Sequence, residues 1–159
     1  MIVYRLASGI YKNDISGTGA WLYAGRWNSR GMQVLYTSSS ITLCTVEIAV
    51  KTPLHSLPKD YFLIKIYMPD DLAIYQLPND VLPEKWDMLP HGDFTQKLGD
   101  SFLKKGDYLV IKSPSACVEG DFNYLFNPFH PDFDKVKYWK VARLSLTQDC
   151  LNKDTRNYP

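Results

Sequence analysis

"QVLYTSSSITLCTVEIAVKTP", Gln33–Pro53, carries the change of period that decides the fold. Its opening, Gln33–Thr37, is short, apolar and aromatic, which predicts a strand. Ser38, Ser39 and Ser40 then offer N-caps, because a serine hydroxyl accepts from the free amides of a first helical turn. "ITLCTVEIAVKT" follows as a helix stopped by Pro53, since the residue before a proline avoids the helical region. Leu43, Val46, Glu47 and Val50 recur at helical spacing, so the Glu47 carboxylate shares an apolar face. Removing a carboxylate from water costs on the order of several kcal/mol unless it is paired or hydrogen-bonded. Two readings fit: Glu47 belongs to a functional site, where such a cost is tolerated, or it lies at the edge of the face and snorkels or pairs with an arginine.

Upstream, "MIVYRLA" alternates Ile2, Tyr4 and Leu6 with Val3, Arg5 and Ala7, an opening strand with its one charge on one face. "SGTGAWLYAGRWNSRG" reads as a glycine-rich loop between the two strands. Downstream, "YFLIKIYMP" places Phe62, Ile64, Ile66 and Met68 on one side of a strand ended by Pro69, and "AIYQLP" is a shorter strand. "DFTQKLGDSFLKKGD" sets Phe94, Leu98 and Phe102 at helical spacing, with Asp93 as cap, Gly106 as stop and Gly99 as an unfavourable interior residue. "YLVIKSP", "SACVEG" and "KVKYWKVARLSL" read as strands. The expected class is α+β, mostly short strands in a mixed or antiparallel sheet core with a few helices, residues 1–159 forming one domain.

Composition narrows the function. With 45% hydrophobic and 22% charged residues the chain has the makings of an ordinary folded core. A net charge of +1 without a run of like charges argues against direct nucleic-acid binding. No stretch of 18 apolar residues and no signal-like N-terminus is found, so neither membrane insertion nor export is expected. Cys44, Cys117 and Cys150 are far apart and lack histidines at metal spacing, which reads as reduced thiols in a cytoplasm and no metal site. Nucleophile-elbow, P-loop and dinucleotide GxGxxG patterns do not occur.

Two polar stretches remain. In "GRWNSRG", Arg26 and Arg30 offer planar forks of donors suited to phosphate oxygens, and the flanking glycines allow close backbone approach. The same stretch also reads as a solvated turn, with Trp27 in the core. "KSPSACVEGDFNYLFNPFHPDF" gathers Ser113, Ser115, Asn123, Asn127 and His130 among prolines and aromatics, either as the lining of a site or as turn chemistry. His130 between turn signals reads as structural.

Taken in order, "YRLAS", "GRWNSRGMQVLYTSSSITLCTVEIA" and "SPSACVEGDFNYLFNP" resemble the RES domain family, and the likeness spans nearly the whole chain. It implies a fold similar to ADP-ribosyltransferase toxins and the role of an NAD-consuming toxin in a bacterial toxin–antitoxin pair. NAD would be the substrate, with no other cofactor, and the partner an Xre-type helix-turn-helix antitoxin; a homo-oligomer is left open. Residue by residue, it makes Glu47, Arg26 and Tyr36 catalytic, and Arg5, Arg26, Tyr36, Ser115 and Asn123 substrate-binding. Arg5 and Arg26 become pyrophosphate clamps, Glu47 the stabiliser of the ribosyl cation, and Ser115 and Asn123 supports for the ring end or for Glu47. The sequence departs from the family pattern at Phe129 and in "KVARLSL", where an expected aspartate is missing. Arg30 matches nothing in the family and is expected to be replaceable.

Overall fold

The computed structural model describes residues 1–52 and 60–144. The first strand, β1 (Ile2–Ser8), is followed by a short helix, α1 (Thr18–Tyr23), then β2 (Leu35–Ser38) and α2 (Ile41–Ala49). Next come β3 (Tyr61–Tyr67), β4 (Ile74–Gln76), α3 (Asp93–Lys105), β5 (Val110–Pro114), β6 (Phe122–Phe126) and β7 (Lys137–Arg143). The strands make one seven-stranded sheet of order β4-β5-β6-β2-β1-β3-β7. β4 pairs with β5 in parallel and every other neighbouring pair is antiparallel, so the expected mixed α+β architecture holds.

The centre of the sheet is its weakest seam. β1 and β3 pair through seven residues and β2 and β6 through four, yet β1 and β2 meet at one pair, Tyr4 opposite Ser38. α2 packs on both strands and bridges the place where they part. Alternation sends Leu35, Tyr124 and Phe126 into one core with Val3, Ile64 and Ile66, and Ile111 and Leu125 into another with Trp27, Phe102 and Leu103 of α3. Both halves of the sheet are therefore anchored by buried apolar side chains, each contributing about 1.5–3 kcal/mol, and the first core runs across the seam from Leu35 to Val3.

The strand–serine–helix reading is realised. The strand is Leu35–Ser38, one or two residues later than expected, and Ser40 is the N-cap, its Oγ accepting from Leu43 N at 3.0 Å. α2 stops at Ala49, before Pro53, which lies outside the described residues, as do Cys150 and the end of the "KVKYWKVARLSL" strand. Three readings need correction. "SACVEG" is the turn between β5 and β6: Ser115 Oγ accepts from the Cys117 and Val118 amides, which bends the chain there. "FNYLF", inside the polar stretch that reads as the lining of a site or as turn chemistry, is β6. The glycine-rich loop contains α1, whose N-cap Gly17 has φ +81°.

α3 begins one residue earlier than the Asp93 cap implies: Gly92 is the N-cap and Asp93 stands in the first turn, where its charge meets the positive helix end. Its buried face is Thr95, Gly99, Phe102 and Leu103, and Phe94 points outward. Gly99 is no flaw. A β-carbon there would sit 1.9 Å from the carbonyl oxygen of Trp27, so the helix touches the "GRWNSRG" loop backbone to backbone.

Candidate active site

Glu47 stands on the last turns of α2, above the opened seam. Leu43 and Cys44 make the core side of that helix, and Val50, on the same apolar row, is exposed. Glu47 is half-buried, so the row runs from core to cavity and the carboxylate lies at its open end. One oxygen, Oε1, accepts from Ser115 Oγ at 3.0 Å and Asn123 Nδ2 at 2.8 Å. Ser115 is held in turn by the 117 and 118 amides, and Asn123 Oδ1 accepts from Ser38 Oγ at 2.9 Å. Residues 68 and 76 positions away in sequence therefore fix one carboxylate through neutral donors. Neutral donors satisfy Oε1 without cancelling its charge.

Two cavities share this carboxylate. The first, about 270 Å³, lies in the seam and is lined by Tyr4, Arg5, Tyr36, Ser38 and Cys44. The second, about 430 Å³, is lined by Arg26, Trp27, Asp87, Leu89, His91 and Cys117. Ala24, Gly25, Glu47, Lys51 and Asn123 line both. Asn123, Tyr36, Arg5 and Glu47 are thus brought together as expected, and Ser115 reaches the site through Glu47.

The two arginines of the expected clamp have different surroundings. Arg5 follows the β1 alternation of Val3 and Ala7, both buried, and its Nε has no partner among the described residues. Burial pushes its pKa down against the opposing pull of Asp14. An arginine with an unsatisfied donor in a desolvated seam has capacity for an anion. Arg26 spends both terminal nitrogens on carbonyls: Nη1 donates to Trp86 O at 2.6 Å and Met88 O at 3.2 Å, and Nη2 to Asp87 O and Met88 O, each at 3.2 Å. Arg30 is exposed.

Tyr36 gives its ring, not its hydroxyl, to the cavity. The hydroxyl donates to Asn28 Oδ1 at 2.9 Å and accepts from Trp27 N at 3.0 Å. Burial raises its pKa well above the usual tyrosine value, so the phenol stays neutral. Gly25 is required by the same arrangement, because a β-carbon there would meet Tyr36 Oη at 2.6 Å. Asn28 is the functional residue that sequence reading passed over. Fully buried, its Nδ2 donates to the carbonyls of Ala20, Ser29 and Met32, folding the loop around one side chain. From α3, Gln96 Nε2 donates to the Gly25 and Asn28 carbonyls, and Asp100 accepts from Ser29 N. An asparagine in a turn gives no sign in sequence of being buried; its only signal is the tight flanking by Gly25 and Gly31.

Trp27 is core, 3% exposed, and His130 is structural, its Nδ1 accepting from Asp132 N at the start of a 3-10 turn. Burial lifts the Cys44 thiol to about 12, and burial followed by the Glu47 charge lifts Cys117 to about 11. Both cysteines are free thiols. Among the described residues no group of three or more acidic, histidine or cysteine side chains is placed to hold a metal ion, and no helix is long and apolar enough to cross a membrane.

Fold and site together define a class: an α+β protein whose central sheet opens beneath a capped helix and presents a single hydrogen-bonded carboxylate to an arginine-lined cleft. The chain belongs to the RES domain family, whose model matches residues 2–149. It is similar to "Prs ADP-ribosylating toxin" of Sphingobium sp. (33% identical, over 82% of this chain and 83% of that protein). It is equally similar to "Toxin Res" of Photorhabdus laumondii (33%, over 85% and 86%) and of Pseudomonas putida (33%, over 86% and 91%). The fold matches a chain of the M. tuberculosis MbcT–MbcA toxin–antitoxin complex with a TM-score of 0.73, at 20% identity, over 91% of this chain and 84% of that one.

Proposed function

We propose that this protein is the toxin of a toxin–antitoxin pair and that it cleaves the nicotinamide–ribose bond of NAD, as a glycohydrolase or phosphorylase, depleting the nucleotide in the cytoplasm and arresting growth. The observation that carries the reading is the Glu47 carboxylate, fixed through one oxygen by Ser115 and Asn123 on the common wall of two cavities. Family membership and the toxin names of its relatives supply the biological setting. An Xre-type antitoxin is the proposed partner, in keeping with the toxin–antitoxin complex of the structural neighbour.

The chemistry needs little more than this chain offers. The nicotinamide leaving group is already cationic, so it departs neutral without a general acid, and one carboxylate suffices where ordinary glycosidases need two. Oε2 of Glu47, with none of the hydrogen bonds that hold Oε1, faces the developing positive charge on the ribosyl carbon; such a fixed charge is worth most in a water-poor site. Arg5 takes the pyrophosphate, using donors left unpaired in the seam. The Tyr36 ring, immobilised by its hydroxyl, supplies a flat surface for nicotinamide. No metal takes part, and NAD is substrate rather than resident cofactor.

A second reading has its own support in the relative named an ADP-ribosylating toxin: the same first step, with a protein side chain as acceptor. Incubating purified protein with NAD, with and without phosphate, and following nicotinamide and the sugar-containing product separates these outcomes. Glu47→Ala is expected to lower nicotinamide release by about a hundredfold or more and to abolish growth inhibition on expression. Undiminished NAD with folded parent protein sinks the enzymatic reading, and growth inhibition that survives Glu47→Ala points to a non-catalytic binding module.

A further inference from the structure

The segment 78–91 forms the outer side of the second cavity through Asp87, Leu89 and His91. Its own hydrogen bonds are local: Val81 N to Pro78 O, Trp86 N to Pro83 O, Met88 N to Lys85 O. Among the described residues, every hydrogen bond that ties it to another part of the chain comes from Arg26, whose four terminal N–H groups address the carbonyls of Trp86, Asp87 and Met88. The guanidinium lies 5.9 Å from the Trp86 ring centroid, and Trp86 packs at 5.8 Å on the buried Trp27, the next residue along from Arg26. Leu82 and Trp86 pack on the core of Trp27 and Phe102, whereas Met88 and Leu89 are more than half exposed, so past Trp86 the turn has little apolar burial to hold it. α3 fixes the other end of this mooring, through Gln96 on the Gly25 carbonyl and Gly99 against Trp27.

We infer that Arg26 is a positioning residue: it moors the 86–88 turn as the outer wall of the second cavity and thereby governs which acceptor reaches the ribosyl carbon. The last clause rests on the NAD-cleaving reading. In that reaction the C1′–N1 bond breaks with its electron pair going to the ring nitrogen, which leaves as neutral nicotinamide. The acceptor oxygen then bonds to C1′ and its proton passes to water. Substitution at one carbon needs room on two sides, one for the departing base and one for the acceptor. Glu47 lies on the wall common to the two cavities, so with Arg5 and the Tyr36 ring holding the nicotinamide half in the first, the acceptor arrives through the second.

The test compares the parent, Arg26→Ala and Arg26→Lys, since an ammonium keeps three donors for the three carbonyls. Amide hydrogen exchange over residues 78–91 is expected to accelerate about tenfold or more in Arg26→Ala and to return toward the parent rate in Arg26→Lys. In water–methanol mixtures the ratio of methyl ADP-riboside to ADP-ribose is expected to shift about threefold or more in Arg26→Ala and to be restored in Arg26→Lys. That ratio is independent of the fraction of active protein, so a general loss of fold does not move it. Should Arg26→Ala not fold by circular dichroism, Arg26→Gln takes its place. Unchanged exchange in the alanine variant overturns the mooring, and so does an about tenfold loss of ADP affinity with exchange unaltered, which makes Arg26 a ligand clamp. An unchanged product ratio removes its control of the acceptor. If the parent releases no nicotinamide yet exchange follows the expected order, the functional reading fails and the mooring stands.

Discussion

Ser115 and Asn123 both donate to Oε1 of Glu47, yet they differ in what else depends on them. Ser115, 7% exposed, also accepts from two amides of the β5–β6 turn, whereas Asn123 is tied to Ser38 alone. Ser115→Ala is therefore expected to cost stability, on the order of 1–3 kcal/mol for the amides it strands, together with activity. Asn123→Ala leaves the turn intact and is expected to lower kcat by about tenfold or more with a smaller change in the urea midpoint. Denaturation curves and nicotinamide release on the same preparations separate the two, and equal stability losses would show that Asn123 supports the fold as much as the carboxylate. Tyr36 belongs at this scale too. Removing its hydroxyl in Tyr36→Phe leaves Asn28 Oδ1 and Trp27 N unpaired, at a cost of about 1–3 kcal/mol seen as a lower Tm. A variant as stable as the parent would mean that water replaces the hydroxyl there.

At the scale of elements, the "GRWNSRG" loop and α3 form one unit, and its critical contact is Gly99 against the Trp27 carbonyl. Alanine has the better helix propensity by about 1 kcal/mol, so propensity alone predicts that Gly99→Ala stabilises α3. The contact predicts the opposite sign. A β-carbon 1.9 Å from a backbone oxygen forces the loop off the helix, and a net loss of more than about 2 kcal/mol in urea denaturation is expected, with Arg26 and Tyr36 displaced and NAD cleavage lowered in step. A stabilised Gly99→Ala would show that the loop sits further from α3 than 1.9 Å implies. This contact also marks where sequence reading stops. β2, its Ser40 cap and α2 are legible because their signals are local: alternation, a hydroxyl in place, then a 3.6-residue period. Gly99 reads as a defect because its reason lies in a loop some seventy positions away, and "SACVEG" reads as a strand because the apolar Ala116, Cys117 and Val118 outweigh the local signal of the Ser115 hydroxyl that bends it. Glu47, Arg5 and Asn123 could be named from the sequence; the mooring of Arg26 to carbonyls could not, since backbone acceptors carry no residue signature.

For the whole molecule, a net charge of +1 conceals a deliberate local arrangement of charge. Beside the Glu47 carboxylate, Tyr36, Cys44 and Cys117 are held neutral, each chiefly by burial. The one-pair junction of β1 and β2 is spanned by α2, which packs on both strands. That balance has a pH limit. Cys44, against Leu6 and Ser38, has an ordinary value of 9.0 raised to about 12 in the folded state. A raised acid pKa means the native state keeps its proton where the unfolded chain has lost it, so its contribution is complete below pH 9 and declines as pH rises toward 12. Tyr36, displaced in the same sense, adds to the decline only above its ordinary value of 10.0. Unfolding free energy is therefore expected to fall between about pH 8 and about pH 10 by on the order of 1 kcal/mol through Cys44 alone. In Cys44→Ser, which has no thiol to ionise, the dependence over that interval should be shallower, whatever the substitution costs at neutral pH. Parallel slopes for parent and variant would place the alkaline sensitivity elsewhere and show that the seam is wetter than the burial of Cys44 implies.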